Sequence, residues 1–110
     1  MKIIRNKIIP FKGYSAINLF GVLFVRKKIA ITERLINHES IHTAQMKELF
    51  YIFFYLWYVV EWLFRLVQYL SFEEAYRNIS FEREAHTMQF ISDYLRCRRK
   101  FTFIHYLKNR

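Results

Sequence analysis

The sequence predicts a mainly helical α+β fold, a short N-terminal strand region followed by helices, and three observations carry that expectation. Two glycines and one proline in 110 residues leave few turn formers for an all-β chain. Apolar residues recur at helical spacing beyond residue 32, whereas the region before it is rich in β-branched residues. A hydrophobic fraction of 54%, with 20% aromatic, excludes a disordered chain. One cysteine excludes an internal disulfide framework, and the length fits a single domain.

Residues 1–31 form the basic strand region. Residues 14–25 are apolar around Asn18 and Gly21, and Val22, Phe24 and Val25 favour an extended strand. Pro10 and Gly13 punctuate its approach. The first residues interleave Lys2, Arg5 and Lys7 with isoleucines and lack a long apolar stretch and small-residue cleavage site, so no cleaved signal peptide is expected.

The second element is a helix over residues 32–47, with Thr32 as N-cap and Glu33 in the first turn. Leu35, His38, Ile41, His42, Gln45 and Leu49 fall on one face. Residues 49–70 follow as an aromatic apolar segment holding ten aromatics, with no charge before Glu61. Ser71 with Glu74 reads as a capping box for a short helix, and Ser80 as the cap of a last helix over 80–99. The tail, 100–110, mixes aromatics with bases.

Two histidines on an inward stripe call for a chemical reason. His38-Glu39-Ser40-Ile41-His42 is an H-E-x-x-H sequence on the predicted helix. Residues i and i+4 project from one face, so His38 and His42 can share one zinc ion while Glu39 stands beside the reacting water as general base. Catalytic zinc takes a third protein ligand. Glu82, Glu84, His86, Glu61, Glu73 and Glu74 are the candidates.

This helix followed by Glu82-Arg83-Glu84-Ala85-His86 resembles the zincin metallopeptidases whose third ligand is a glutamate on a second helix. The resemblance implies a minimal zincin-like helical domain holding one Zn2+, with Glu82 as ligand and Ala85 as a small packing position. It implies hydrolysis of a peptide or protein substrate by zinc-activated water. His86 stands where the family pattern has an acid that orients a ligand histidine, which leaves it as orienter, extra ligand or neither. Glu84 is the alternative ligand. His42-Thr43-Ala44-Gln45 extends the match to an HExxHxxQ form found in small bacterial members. Those families place a strand before the active-site helix whose edge can hold an extended peptide, a position that residues 14–25 occupy. The alternative reading is a non-catalytic, membrane-associated zinc-binding or interaction protein that keeps the fold.

The charge of +9 divides unevenly. Residues 1–28 carry +7 and residues 96–110 carry +6, while the stretch between carries −4 and all nine acids. A nucleic-acid module is not usually divided in this way, and no nucleic-acid motif is present, so nucleic acid is not the expected partner. Basic ends around an aromatic segment suit an anionic membrane surface. Residues 49–70 are long enough to cross a bilayer, but Glu61 and Arg65 each cost about 2.5–3.5 kcal/mol at its centre. Their i, i+4 pairing lessens that cost, and the expectation is an interfacial helix or hairpin, with a cytoplasmic chain as the alternative. Cys97 lies among Arg96, Arg98 and Arg99 without a histidine pattern, and His105 reads as a surface residue.

Overall fold

The computed structural model describes residues 2–6, 16–27 and 29–107. Three strands come first: β1 (Lys2–Asn6), β2 (Ala16–Leu19) and β3 (Val22–Arg26). Four α-helices follow, α1 (Glu33–Glu48), α2 (Ile52–Tyr69), α3 (Phe72–Arg77) and α4 (Ser80–Met88). A single turn, α5 (Tyr94–Cys97), and a 3₁₀ segment, Thr102–Tyr106, complete the described chain. The α+β expectation holds, with a three-stranded sheet of order β1-β3-β2 where one strand region was expected. Tyr14, Gly13 and Pro10 lie outside the described residues.

β2 and β3 form an antiparallel hairpin, and β1 pairs with β3 in parallel. The hairpin loop is Phe20-Gly21, with φ of 54° and 88°. Two positive φ values in a two-residue loop match the twist of the flanking strands. Glycine at position 21 is favoured by that positive φ, since a Cβ there would meet the Thr43 side chain only at ordinary contact distance, 3.5 Å. Phe20 carries the costlier conformation, and its ring sits 5.1 Å from that of Tyr55. Its N–H donates to Tyr55 Oη at 2.9 Å.

α1 begins where Thr32 Oγ1 accepts from the Leu35 N–H at 3.1 Å. It ends at Glu48 with Leu49 as its cap; Phe50 and Tyr51 follow with positive φ of 54° and 62°, and the chain turns by 110° into α2. With only two glycines in the chain, this corner falls to aromatic residues.

α3 starts as its sequence indicates, Ser71 Oγ accepting from the Glu74 N–H at 3.3 Å. α4 differs from expectation at both ends. Its N-cap is Ile79, and Ser80 is the first helical residue. The Ser80 N–H and hydroxyl donate to the two Glu61 oxygens at 2.7 and 2.6 Å, so a carboxylate from α2 serves where a local cap was expected. The helix also stops at Met88 rather than continuing to 99. There Asn37 Nδ2 takes the Gln89 carbonyl at 3.2 Å, and Ser92 and Asp93 favour a turn. A continuous helix would set Arg98 about 20 Å along the axis from Glu84. The two side chains are instead in direct contact.

The core gathers Met46, Phe54, Ile79, Phe81 and Phe103, flanked by Trp57 and Tyr58. Phe81 is central, its ring 4.5 Å from Phe54 and 4.6 Å from Phe103. The basic tail therefore contributes a fully buried aromatic to the support of α4.

Candidate metal centre

α1 brings His38 and His42 to its buried face, and α4 sets Glu82 opposite them. The His38 and His42 Nε2 atoms are 3.1 Å apart. Glu82 Oε1 is 3.3 Å from His38 Nε2, and Oε2 is 3.2 Å from His42 Nε2. All three residues are at most 6% exposed.

The outer ring nitrogens settle which atoms face inward. His38 Nδ1 lies 2.9 Å from Gln89 Oε1, and His42 Nδ1 lies 2.8 Å from Gln45 Oε1. The Gln45 amide has one sensible orientation, because its Nε2 donates to the Phe81 carbonyl at 3.1 Å and to Glu84 Oε1 at 3.0 Å. Its Oε1 therefore accepts, and His42 Nδ1 carries a proton. Gln89 Oε1 is marked as an acceptor by Arg34 Nη1 at 3.5 Å. With both Nδ1 atoms donating, both Nε2 atoms present lone pairs to each other and to a carboxylate.

Acceptors that converge in a dry site need a cation between them. Donors around a tetrahedral zinc, each about 2.0–2.1 Å from the ion, stand about 3.3 Å from one another. The two Nε2 atoms, 3.1 Å apart, stand near that spacing, and each faces a different oxygen of the Glu82 carboxylate at 3.2–3.3 Å. Glu82 Oε1 is buried without a hydrogen-bond partner among the described residues, as a ligand oxygen would be. Glu82 Oε2 accepts from Tyr58 Oη at 2.8 Å. Two imidazoles and one carboxylate are a donor set suited to zinc, so these residues fit the ion.

Without a metal, a proton serves the same electrostatic need. Burial alone would push the His42 pKa down, but the Glu82 charge and hydrogen bond raise it to about 9. Burial pushes Glu82 up, and the charges of His42 and His38 beside it bring it well below the usual carboxylate range.

Glu39 lies on the same turn of α1, and one of its oxygens is within 4.8 Å of ligand nitrogens of both histidines. Its pKa is raised by burial, against the opposing pull of His42 and His38. Asn18 of β2 donates to the Glu39 carbonyl at 2.9 Å and to Thr43 Oγ1 at 3.0 Å, which fixes the hairpin against this part of α1. His86 stands one turn beyond Glu82, half-exposed, with Nε2 3.8 Å from Glu82 Oε1 and its ring 4.7 Å from that of His38. Its pKa is lowered by burial and by the His38 charge.

Glu84 does not join the histidines. It is fully buried on another side of α4, accepting from Tyr94 Oη at 2.7 Å and Arg98 Nη2 at 3.1 Å. Arg98 also binds the Glu48 carboxylate at the end of α1. Glu61 is committed to Ser80, Trp57 and Arg65. Glu73 pairs with Arg77 on the surface, and Glu74 is exposed at the start of α3. Cys97 is exposed, as is His105.

Sequence reasoning passed over Tyr58, Gln89 and Arg98. Tyr58 had a visible signal, since Phe54, Tyr58, Glu61 and Arg65 recur at helical spacing along one face of α2. Gln89 follows Glu82 by seven residues, two helical turns on the same face. Arg98 had no local signal, because its partners lie 14 and 50 residues away.

Comparison with protein-family models, with curated proteins and with solved structures returned no match.

Proposed function

We propose that this protein is a zinc-dependent peptidase in which His38, His42 and Glu82 hold the metal and Glu39 moves the proton. The observation that supports this most strongly is the convergence of two outward-anchored imidazoles, their Nε2 atoms 3.1 Å apart, on the buried Glu82 carboxylate. The order of elements, a hairpin before the H-E-x-x-H helix and a glutamate on a later one, supports a minimal zincin-like arrangement.

Bound there, zinc supplies a Lewis acid that polarises a carbonyl and lowers the pKa of water. The chain's own residues do the rest. Gln45 and Gln89 hold the two imidazoles in the tautomer that presents Nε2. Tyr58 Oη shares the charge of Glu82 and fixes its carboxylate plane. Glu39 accepts the proton of the attacking water and returns it to the departing amine nitrogen, a role its raised pKa suits. β2 lies at the sheet edge beside α1, where an extended substrate can add as a further strand.

Metal analysis of the purified chain tests the reading. Wild type is expected to carry one zinc per chain and His38→Ala none. Glu39→Gln is expected to keep zinc and lose peptide hydrolysis. Retention of all biological function by Glu39→Gln favours a non-catalytic zinc protein instead.

A further inference from the structure

α2 is inverted relative to a helix of an ordinary water-soluble domain. Its charged residues, Glu61 and Arg65, are 6% and 3% exposed and face the protein. Its outward face carries Phe53, Leu56, Val60, Leu63, Phe64 and Val67, each between 50% and 78% exposed. At 100° per residue these six fall within an arc of about 100°, along about 20 Å of helix. Leu70 closes the C-terminal end at 85% exposed. A contiguous exposed apolar face of this length marks a contact site rather than ordinary surface.

The chemistry of the face selects its occupant. A protein interface carries about one hydrogen bond per 100–200 Å2 and a polar rim that sets register. None of the six side chains holds a nitrogen or oxygen atom. Ionisable residues turned inward with apolar residues outward is the distribution found in contact with hydrocarbon. Between Phe53, Leu56, Val60 and Phe64 on one side and Leu107 on the other runs a groove of about 660 Å3, with Trp57, Glu61 and Arg65 also in its lining. Arg65 Nη2 anchors that wall by donating to the Leu107 carbonyl at 2.6 Å. The chain as a whole carries +9. An apolar face on a cationic chain complements acyl chains beneath anionic headgroups.

We propose that the outward face of α2 docks in the plane of a bilayer bearing anionic headgroups, with acyl chains against Phe53, Leu56, Val60 and Phe64. No single helix among the described residues is long and apolar enough to cross a membrane. The apolar residues of α2 form one face along its length rather than a belt around it, the pattern of a helix lying in the plane of the interface. Tyr58 and Phe54, on the opposite face of α2, contact Glu82 and the His42 ring. The candidate metal centre therefore lies about one helix diameter, ~10 Å, from the lipid.

Flotation of the full chain with vesicles tests this independently of metal, and is run with and without a chelator. Wild type is expected to float with mixed phosphatidylcholine–phosphatidylglycerol vesicles, less with phosphatidylcholine alone. Val60→Glu combined with Phe64→Glu is expected to reduce flotation at least tenfold while keeping the wild-type helical circular dichroism. Where that variant fails to fold, Leu63→Cys in a Cys97→Ser background, labelled with a polarity-sensitive fluorophore, is expected to blue-shift on adding the mixed vesicles. A wild-type chain that stays with the aqueous fraction, or that buries this face in a lipid-free dimer and ignores vesicles, overturns the proposal. So does undiminished flotation of the folded double variant, or a label that does not respond.

Discussion

The Nε2 atoms of His38 and His42 lie 3.1 Å apart in a buried site, while the Nδ1 atom of each is within hydrogen-bond distance of a glutamine oxygen. The pairing of each imidazole with an amide acceptor presents both lone pairs to the same point. From that relationship, and from the packing that maintains it, follow four consequences open to measurement.

Gln89→Leu removes the acceptor for His38 Nδ1 and leaves the ring free to rotate or change tautomer. Zinc affinity is expected to fall by about 10–100-fold, the usual effect of losing a partner that orients a ligand. Competition with a chelating indicator reads this directly. An unchanged affinity would show that packing alone holds the ring.

Arg98→Met leaves the carboxylates of Glu84 and Glu48 buried without their guanidinium. Breaking a buried ion pair on one side costs about 3–5 kcal/mol. Chemical denaturation is expected to show a loss of that order, larger than for the exposed Arg77→Met, whose partner Glu73 is on the surface.

The two serines at helix starts are expected to differ. Ser71→Ala removes an ordinary N-cap, costing about 1 kcal/mol. Ser80→Ala removes a hydrogen bond to the buried charge of Glu61, costing about 1.5–3 kcal/mol. Equal losses in urea unfolding would contradict the assignment of Glu61 as the acceptor for α4.

The metal-free protein is expected to have a defined pH optimum of stability. His42 is raised from 6.5 to about 9, so its contribution is complete below 6.5 and disappears as pH climbs through 9. Glu82 is lowered from 4.5, so its contribution is complete above 4.5 and disappears as pH falls. Thermal melts in chelator should therefore peak between those two values, and Glu82→Gln should flatten the alkaline decline.

The sequence carried the parts of this centre whose logic is local. The i, i+4 spacing of His38 and His42 and the Thr32 cap are properties of one helix, and a single helix can be read from its own residues. Glu82 was reached through the resemblance of its segment to a known pattern, and the structure places it against both histidines. What was not legible depends on contacts made at a distance. Ser80 has the residue type of a cap, yet it is the first helical residue, capped by Ile79, and Glu61 of α2 supplies the acceptor for its N–H. The helix expected to run to residue 99 ends at 88, where Asn37 of α1 takes the Gln89 carbonyl. Glu84 and Glu82 are equivalent by composition. Only the return of Arg98 separates a charge-network residue from a candidate ligand.

X-ray absorption at the zinc edge, on chain reconstituted with one equivalent of zinc, addresses the central claim most directly. The account predicts two imidazole nitrogens and light oxygen scatterers at about 2.0–2.2 Å, with one oxygen shell component altered in Glu82→Gln and unaltered in Glu84→Gln. A chain that retains no zinc, or a spectrum without imidazole scattering, would contradict it.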